Sequence, residues 1–380
     1  MKNSRRRLLA AIGTGLATGI AGCGYAPGGG DVRREASLLT GIGGLGGSNR
    51  FDVEGDRIAA AKSGQQWVGE FGDRSFETAT TVHITDRDAE EIGEFVHLEP
   101  TLDLALGERL VVLDEAGRLV ASEPIRARED ADETDDTDGL EEAWRIELDD
   151  PDAPIAAADG TVYVPDGNRL LAVRDGTVVW ERSLAGPAET LQAQDGVVLA
   201  AIESAALALD PDGGARWEFE IDGPATFAVD GDLTVLRARG SLSGDDTDLA
   251  AVDTGTGDVR WSTTVQGRDA RPAIADGRVH LVVHGRVTAY DRDTGDRRWE
   301  TADVGAAPPI VAGTEGVYSL GENCEAIGVD SEGRRWSRTL DRGSCSVVDG
   351  WIDGETVAFL LAAGGIVWLQ RVDEEPGLLG

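Results

Sequence analysis

Apolar residues in this chain come in short runs separated by turn-forming residues. Runs such as Thr161–Val164, Val197–Ala200 and Val279–Val283 are rich in β-branched residues, and Asp-Gly, Gly-Gly and Asn recur between them. Runs of this kind, with a turn signal about every 8–12 residues, predict antiparallel strands. Beyond the first 23 residues, no stretch keeps the apolar period of about 3.6 residues that a helix of ordinary length requires. The pattern therefore predicts an all-β fold.

A repeated phrase that ends in tryptophan organises these runs. Its best copies are Ala251-x-Asp253-x-x-Thr256-Gly257-x-x-x-Trp261 and Ala289-x-Asp291-x-x-Thr294-Gly295-x-x-x-Trp299. Successive tryptophans are 36, 37, 44, 38 and 37 positions apart, at Trp144, Trp180, Trp217, Trp261, Trp299 and Trp336. A constant period of this length indicates a repeat architecture. Shorter copies end at Trp67 and Trp368, and Trp351 falls outside the register.

One period of about 38 residues holds four short strands, which is the content of one propeller blade. The count predicts eight four-stranded antiparallel blades. Seven blades stay an alternative, because residues 71–143 carry no clear copy of the phrase. A lone four-stranded sheet cannot cover both of its faces, so the blades must stack. We expect Trp180, Trp217, Trp261, Trp299 and Trp336 to pack between neighbouring blades, and a strand after Trp368 to pair with the N-terminal part.

The phrase resembles the repeat of the quinoprotein-type propellers, known as PQQ-like repeats, over about residues 50–372. The resemblance implies a β-propeller. Quinone-dependent dehydrogenases of this type hold their cofactor on the axis beside a vicinal disulfide, a calcium ion and a catalytic aspartate. This chain has no Cys-Cys pair, and its aspartates Asp210, Asp253, Asp291 and Asp330 belong to the repeated turn. No catalytic, cofactor-binding or metal-binding residue can be assigned from the resemblance, so we expect neither PQQ nor Ca²⁺ as a cofactor.

The first 23 residues resemble an export signal. Arg5 and Arg6 fit a twin-arginine motif, and the apolar stretch that follows is too short for a stable transmembrane helix. Ile20-Ala21-Gly22-Cys23 resembles a lipobox, which implies that Cys23 is lipidated. An ordinary signal peptide with an incidental cysteine is the alternative. The predicted division is a signal peptide over 1–22, a Gly-rich tether over 23–45, a propeller over 46–373 and a tail over 374–380.

The charge balance is strongly acidic. The chain has 70 Asp and Glu against 35 Lys and Arg, a formal charge of −35. Molar salt screens such repulsion to about 3 Å, which indicates a protein adapted to a saline medium. An acidic surface for a basic partner is the less favoured alternative, because the excess is spread along the chain. Nucleic acid is not expected as a ligand, since phosphate binding requires a basic face.

Cysteine and histidine are sparse. Cys324 and Cys345 can form a disulfide in an exported protein or remain two buried thiols. No spacing among His83, His97, His280 and His284 matches a zinc site. No metal site is therefore predicted.

Two functions follow from these patterns. The favoured one is a non-catalytic propeller, anchored by lipid to the extracytoplasmic face of the cell membrane, which acts as a monomer and binds another surface or secreted protein. It would be similar in repeat type to the propeller lipoproteins of outer-membrane protein assembly. The alternative is a PQQ-dependent, dehydrogenase-like enzyme that uses the axial funnel, where residues of several blades converge.

Overall fold

The computed structural model describes residues 29–39, 48–68, 75–125, 140–203, 205–221, 223, 225–238, 246–266 and 271–371. These residues form 32 β-strands in eight four-stranded sheets, and no helix occurs among them. The eight-bladed propeller predicted from the repeats is confirmed, and the seven-bladed alternative is wrong. The degenerate segment 71–143 contains strands of two blades that lack the complete phrase.

The strands follow the chain from blade I to blade VIII. The first strand, β1 (Val32–Ser37), belongs to blade VIII. Blade I comprises β2 (Asn49–Glu54), β3 (Arg57–Val68), β4 (Ser75–Asp86) and β5 (Glu91–His97). Blade II comprises β6 (Thr101–Leu106), β7 (Arg109–Asp114), β8 (Arg118–Pro124) and β9 (Glu142–Glu147). Blade III comprises β10 (Ala156–Ala158), β11 (Thr161–Asp166), β12 (Arg169–Arg174) and β13 (Thr177–Ser183). Blade IV comprises β14 (Thr190–Gln194), β15 (Val197–Ile202), β16 (Ala205–Leu209) and β17 (Ala215–Glu220).

The second half repeats this order. Blade V comprises β18 (Ala225–Asp230), β19 (Leu233–Ala238), β20 (Asp246–Asp253) and β21 (Val259–Gln266). Blade VI comprises β22 (Ala273–Ala275), β23 (Arg278–Val283), β24 (Arg286–Asp291) and β25 (Arg297–Glu300). Blade VII comprises β26 (Ile310–Gly313), β27 (Gly316–Leu320), β28 (Glu325–Asp330) and β29 (Gly333–Thr339). Blade VIII comprises β30 (Val347–Asp353), β31 (Thr356–Leu361), β32 (Gly365–Gln370) and β1.

Each blade is an antiparallel meander whose first strand lies nearest the axis, where the first strands of successive blades contact one another. Several first-to-second turns are Asp-Gly pairs in which both residues have positive φ, namely Asp159-Gly160, Asp195-Gly196 and Asp276-Gly277. This is the type I′ geometry that matches the twist of the strands, and Asp-Gly is among its preferred sequences. The turn signals in the sequence therefore place the strand boundaries.

The ring is closed by the N-terminal strand. β1 pairs antiparallel with β32, and Ala36 lies opposite Ile366. This strand lies inside the segment 23–45 that the sequence assigned to the tether, so the propeller begins earlier in the chain than residue 46. The closing partner is the strand that contains Trp368 rather than one after it. β1 thereby covers the edge of β32 and becomes the outer strand of blade VIII, as the fourth strands are in the other blades.

The two ends of the ring define two faces. First-to-second and third-to-fourth turns lie on one face, together with Gly29 and Arg371, so we name it the terminal face. Second-to-third turns and the connections between blades lie on the opposite, distal face. Gly30 N–H donates to the Gln370 carbonyl, and Gln370 N–H donates to the Asp31 carbonyl. The two chain ends thus rebuild, without a covalent link, the turn that other blades make continuously.

Tryptophans of the fourth strands dock on the next blade. The indole N–H of Trp217 in blade IV donates to the Thr254 carbonyl in blade V at 3.0 Å. Three other indole N–H groups donate to backbone carbonyls of the next blade in the same way. The bonds run from Trp180 to Pro211 at 2.9 Å, from Trp261 to Arg292 at 2.8 Å and from Trp336 to Arg371 at 2.6 Å. Trp299 packs against the apolar cluster between blades VI and VII. Each of the five rings therefore contacts the neighbouring blade.

The tryptophans of two shorter copies of the phrase do not lie on fourth strands. Trp67 is on β3, a second strand, and Trp368 is on β32, a third strand. In blade VIII the docking position opposite Trp368 belongs to Arg34, whose guanidinium lies 4.7 Å from the centre of that ring. Arg34 also pairs with Asp88 of blade I at 2.7 Å. A guanidinium stacked on an indole thus joins these two blades where other blades use an indole N–H.

Docking requires glycine in the receiving turn. Gly257 has φ +76, and a Cβ placed there would lie 2.5 Å from the Cβ of Trp217. Gly277 has φ +66 and no atom within 4 Å of the same point. Gly257 therefore serves both the backbone conformation and the close approach of an indole, whereas Gly277 serves the backbone alone.

Replacing Gly257 with alanine should destabilise the propeller more than replacing Gly277. Both substitutions place a Cβ at positive φ, which costs about 1–2 kcal/mol. Gly257→Ala must also displace the Trp217 ring, which should cost about 1–3 kcal/mol more, the usual range for overpacking. Urea unfolding of the two variants in molar salt measures the difference. Equal losses would show that the indole does not rest on this turn.

The cysteine pair lies between blades VII and VIII. Cys324 and Cys345 form a disulfide, with their Cα atoms 5.0 Å apart. Cys324 is in the hairpin between β27 and β28, and Cys345 is in the connection to β30. Both are buried in the cluster that joins the two blades. Of the two alternatives open in the sequence, the structure therefore has the disulfide.

Candidate functional site

The propeller axis contains a cavity of about 410 Å³. Asp52 and Glu54 of β2, Asp349 of β30 and Arg271 lie on its wall, together with small or apolar residues of β6, β10 and β14. First strands supply this wall because every blade presents its first strand to the axis. Gln192 and Gln194 of β14 also line it, so its polar side chains are three carboxyls, two amides and one guanidinium.

Burial governs the charge of these carboxyl groups. It raises the pKa of Asp52 from 3.8 to about 6, although hydrogen bonds from Leu106 N–H and Val53 N–H act in the opposite direction. Burial also raises the pKa of Glu54 and of Asp349 on the wall, and that of Asp103 on the neighbouring strand β6. A carboxyl with a pKa near 6 can exchange protons near neutral pH, which is one requirement of a general acid or base.

The contacts of Asp52 and Asp103 give them a structural role. Asp52 Oδ2 accepts the Leu106 N–H of blade II at 2.6 Å, and Asp103 Oδ2 accepts the Ile155 N–H at the start of blade III at 2.9 Å. Each carboxylate thus joins its own first strand to the next one around the axis. Bonds of this kind satisfy backbone groups that would otherwise be buried without a partner.

The axial lining does not fit pyrroloquinoline quinone. That cofactor carries three carboxylates, so its site must supply several cationic or donor groups. Among the residues that line the cavity, Arg271 is the single cation and the amides of Gln192 and Gln194 are neutral donors, against the three carboxyls of Asp52, Glu54 and Asp349. Burial raises the pKa of all three carboxyls, because the buried site disfavours negative charge, and a further negative charge would be opposed there. No chemical step through a quinone follows from this geometry.

The second prominent feature is a ribbon on the distal face. β3 and β4 have 12 residues each, whereas β11 and β12 of blade III have six each. β2 pairs only with the first half of β3, and β5 pairs only with the second half of β4. Gly64–Val68 and Ser75–Ala79 therefore pair with each other alone and form a two-stranded extension, the distal ribbon. Phe76 on this ribbon is 45% exposed.

A ribbon of this kind is suited to contact with another protein. Within the part of the chain that the structure describes, both of its edges lack a neighbouring strand. Exposed strand edges pair readily with other chains, and aromatic side chains contribute much of the contact energy of interfaces. In the register of the ribbon, Phe76 lies opposite position 67.

The aspartates of the repeated phrase stabilise the turns in which they lie. Asp253 Oδ1 accepts the N–H groups of Gly255 and Thr256, both at 3.0 Å. Its Oδ2 accepts from Arg260 at 2.8 Å, and hydrogen bonding to that guanidinium is the main cause of the lowered pKa of Asp253. Asp210, Asp291 and Asp330 form the same kind of pair with Arg216, Arg298 and Arg335. These aspartates are thus structural, as their repetition indicates.

The arginines in these pairs were missed by the sequence reasoning, although a signal exists. An arginine directly precedes the tryptophan in four blades, at Arg216, Arg260, Arg298 and Arg335. Each lies beside the aspartate of its own turn because the hairpin folds the strand back on itself. The repeated phrase therefore contains an Asp–Arg ion pair as well as the docking tryptophan.

His97 forms a buried pair with an aspartate. His97 Nε2 and Asp114 Oδ2 are 2.9 Å apart, and Asp114 also accepts from Arg118 Nε at 2.8 Å. Burial alone would raise the pKa of Asp114, but hydrogen bonds from Arg118 and His97 outweigh it and lower that pKa. Both side chains are almost fully buried. The pair links blade I to the β7–β8 turn, and neither residue lines the axial cavity.

His280 is buried as a neutral ring. It lies on β23, is 2% exposed, and its ring centre is 5.7 Å from that of Trp299. Burial lowers its pKa from 6.5 to about 4. His284, by contrast, is exposed in the adjacent hairpin. Neither contributes to the axial cavity.

Stability should fall on acidification because of His280. The unfolded chain protonates this ring near pH 6.5 and the folded chain only near pH 4. The unfolded state therefore binds more protons between these values, and stability is lost as the pH falls through them. The full loss is about 3 kcal/mol, at about 1.4 kcal/mol for each pH unit of the shift. His280→Phe should remove this part of the pH dependence, which unfolding measured from pH 7 to pH 4 can test. If the free energy of unfolding of the unchanged chain and of the His280→Phe variant fell equally with pH, the prediction would be contradicted.

The predicted export and lipidation residues Arg5, Arg6 and Cys23 lie outside the described residues. Within the described residues we find no helix of the length and apolarity needed to cross a bilayer. The nearest described position is Gly29, on the terminal face. The distal ribbon therefore lies at the opposite end of the propeller from Gly29 and Arg371, the first and last described residues.

Comparison with known proteins agrees with this architecture. A protein-family profile described as outer membrane protein assembly factor BamB matches residues 127–267 and 203–375, which together span more than half of the chain. BamB from Moraxella catarrhalis superimposes with a TM-score of 0.62 at 14% identity, covering 91% of this chain and 98% of that one. The computationally designed Ika8 protein gives 0.61 at 12% identity, over 88% and 100% of the two chains. Sqt1 from Chaetomium thermophilum gives 0.59 at 12%, over 85% and 96%. At these identities the likeness concerns the fold, and a search of curated proteins gives no match.

Proposed function

The chain belongs to the family described as outer membrane protein assembly factor BamB, and from this membership we propose that it is a non-catalytic, lipid-anchored extracytoplasmic propeller that binds another protein. The family match over residues 127–375 is the observation that carries the proposal. The name of the family refers to assembly of proteins at a membrane. A scaffold that holds a protein partner is the corresponding role for this chain.

The position of the termini supports an oriented anchor. Cys23, the proposed lipidation site, precedes Gly29 by six residues, and six residues reach at most about 20 Å. Gly29 lies on the terminal face, so a lipid on Cys23 would hold that face next to the membrane. Two acyl chains are needed for stable anchoring, as one alone gives marginal binding. The distal face, with its ribbon, would then point away from the membrane.

The distal ribbon supplies the contact surface in this proposal. It extends beyond the blade, carries an exposed phenylalanine at Phe76, and has strand edges without neighbours in the described chain. A partner can add a strand to such an edge or pack on Phe76. Axial catalysis gains no support, because the acidic cavity does not fit the quinone of the alternative function.

Site-specific photo-cross-linking in intact envelopes tests the proposal. A cross-linker in place of Phe76 should capture one predominant protein in molar salt. The matched control is Val259, which is also apolar and is 49% exposed on the outer edge of blade V. That position should capture no such protein.

Further outcomes decide between the two functions. Cys23→Ala should move the chain from the membrane pellet to the supernatant, and a variant that stays in the pellet would contradict the lipid anchor.

Equal cross-linking from Phe76 and Val259 would contradict the distal contact surface. Dye reduction by the full chain with alcohols or sugars, after addition of pyrroloquinoline quinone and Ca²⁺, would overturn the non-catalytic function.

A further inference from the structure

A histidine and two glutamates converge on the outer part of blade I. His83 lies on β4, and Glu91 and Glu94 lie on β5. One ligand atom from each residue lies within 4.8 Å of the other two. His83 Nε2 and Glu94 Oε2 are 3.5 Å apart. We propose that these three side chains form a binding site for Zn²⁺.

A β-bulge brings the two glutamates to one side of the sheet. Three positions apart on a regular strand, Glu91 and Glu94 would point to opposite faces. The pairing passes from Ile84 opposite Gly93 to Thr85 opposite Glu91, which leaves Ile92 as the extra residue. Glu94 lies opposite His83, and Thr85 shares the face of His83. Other blades have a bulge at the same place, as between Ala251 and Val252 of blade V. In blade I this bulge aims Glu91 at the same side as the other two ligands, because an extra residue re-aims the side chain next to it.

The ligand types and spacing suit zinc. Zinc binds imidazole nitrogen and carboxylate oxygen at about 2.0–2.2 Å, so two ligands of a tetrahedral ion are about 3.3–3.6 Å apart. The Nε2–Oε2 separation of 3.5 Å lies in this range. Glu91 is exposed, so its side chain can rotate to complete the set. Three protein ligands leave the fourth position to water or to a group from a partner.

Charge also favours a cation here. Most acidic side chains of the repeated turns are paired with arginine, as Asp253 is with Arg260. Among the described residues, no arginine or lysine forms an ion pair with Glu91 or Glu94, and the imidazole of His83 lies 3.5 Å from Glu94 Oε2. Two carboxylates this close repel each other unless a positive charge lies between them. A divalent ion removes that repulsion.

The site lies in a blade that lacks the docking indole. Gly93 occupies the position at which other blades carry tryptophan, and the Leu140 side chain of blade II lies 3.6 Å from the point that a Cβ on Gly93 would occupy. A zinc ion bound by His83, Glu91 and Glu94 would tie β4 to β5, the outermost strand of this blade. The ion would therefore hold an outer strand that has no indole of its own.

Titration of the metal-free full chain with Zn²⁺ in molar KCl tests the proposal. Calorimetry should show one tight site for each chain in excess Mg²⁺, which occupies the weaker carboxylate sites of an acidic surface. His83→Ala and Glu91→Gln should each weaken binding by roughly tenfold or more, since each removes one of three ligands. Glu91 is exposed, so its variant should fold even if that of His83 does not. His284→Ala, which removes another exposed histidine, should leave the affinity unchanged.

Cobalt gives an independent readout of the coordination. Co²⁺ bound to the same residues should produce visible absorption that Zn²⁺ displaces and that the Glu91→Gln variant lacks. Absence of a one-to-one site, or equal affinity in the His83, Glu91 and His284 variants, would overturn the proposal.

Discussion

A chain that lacks residues 1–38 should fail to close its propeller, whereas one that lacks residues 1–28 should keep the stability of the full chain. The longer deletion removes β1, the outer strand of blade VIII. It also removes Gly29 and Gly30, on which the Trp336 ring rests. The shorter deletion removes only residues that precede both features. The two truncated chains therefore differ only in the closing strand and the residues that flank it.

The expected loss is comparable with the whole stability of a domain. Without β1, the backbone edge of β32 is exposed and Trp368, now 2% exposed, loses the cover of Arg34. Several ladder hydrogen bonds are lost at about 1 kcal/mol each, and burial of a large side chain adds about 2 kcal/mol. A domain has only about 5–15 kcal/mol in total.

Size-exclusion chromatography and near-UV circular dichroism in molar salt measure the outcome. The chain without residues 1–38 should elute as oligomers, because its open strand edge can pair with other chains. It should also lack a cooperative unfolding transition. A monomer with an unchanged midpoint would show that β1 does not close the ring.

The repeat architecture was predictable because its determinants are local. Each Asp-Gly turn and each Ala-x-Asp phrase acts within one hairpin, so the sequence specifies strand order and blade number. Trp67 and Trp368 misled the register, because they match the spacing but lie on second and third strands. In their blades the docking position belongs to Gly93 and Arg34, which carry no tryptophan signal.

The features that could not be predicted from the sequence depend on contacts between distant parts of the chain. Closure joins β1 to β32 across more than 300 residues, and no local pattern distinguishes β1 from a Gly-rich tether. The approach of Glu91 to His83 and Glu94 depends on a register shift between β4 and β5 that the spacing of these residues in the sequence does not reveal. The raised pKa of Asp52 likewise follows from burial on an axis that forms only when all blades are in place.

Lowering the salt from about 1 M to about 0.15 M should unfold the propeller. The Debye length grows from about 3 Å to about 8 Å over this range, so exposed charges begin to act on one another between blades. The chain has 70 acidic residues and 35 basic ones, so half of the negative charge has no basic counterpart. We therefore expect the midpoint of thermal unfolding to fall steadily with salt and native near-UV signals to disappear at about 0.15 M.

Ion pairs stabilise the propeller against this repulsion, but they are too few to offset it. Arg292 already serves Asp230, Asp232 and Asp293, so its single positive charge is shared among three carboxylates. Exposed pairs contribute at most about 1 kcal/mol each, even though low salt strengthens them. Around the axis, burial is the main cause of the raised pKa of Glu54, and the nearby carboxylates Asp159 and Asp195 add to it. Repulsion among unpaired acids should therefore prevail.

Two controls separate screening from other effects of salt. Sucrose favours compact states by exclusion from the surface but does not screen charge, so it should not replace KCl at low ionic strength. Neutralising exposed carboxylates by Glu203→Gln, Glu322→Gln and Asp341→Asn should lower the salt concentration needed for folding, because each removes one repelling charge. A propeller whose circular dichroism is unchanged across the dilution, or that sucrose rescues as well as KCl, would not owe its salt requirement to this charge.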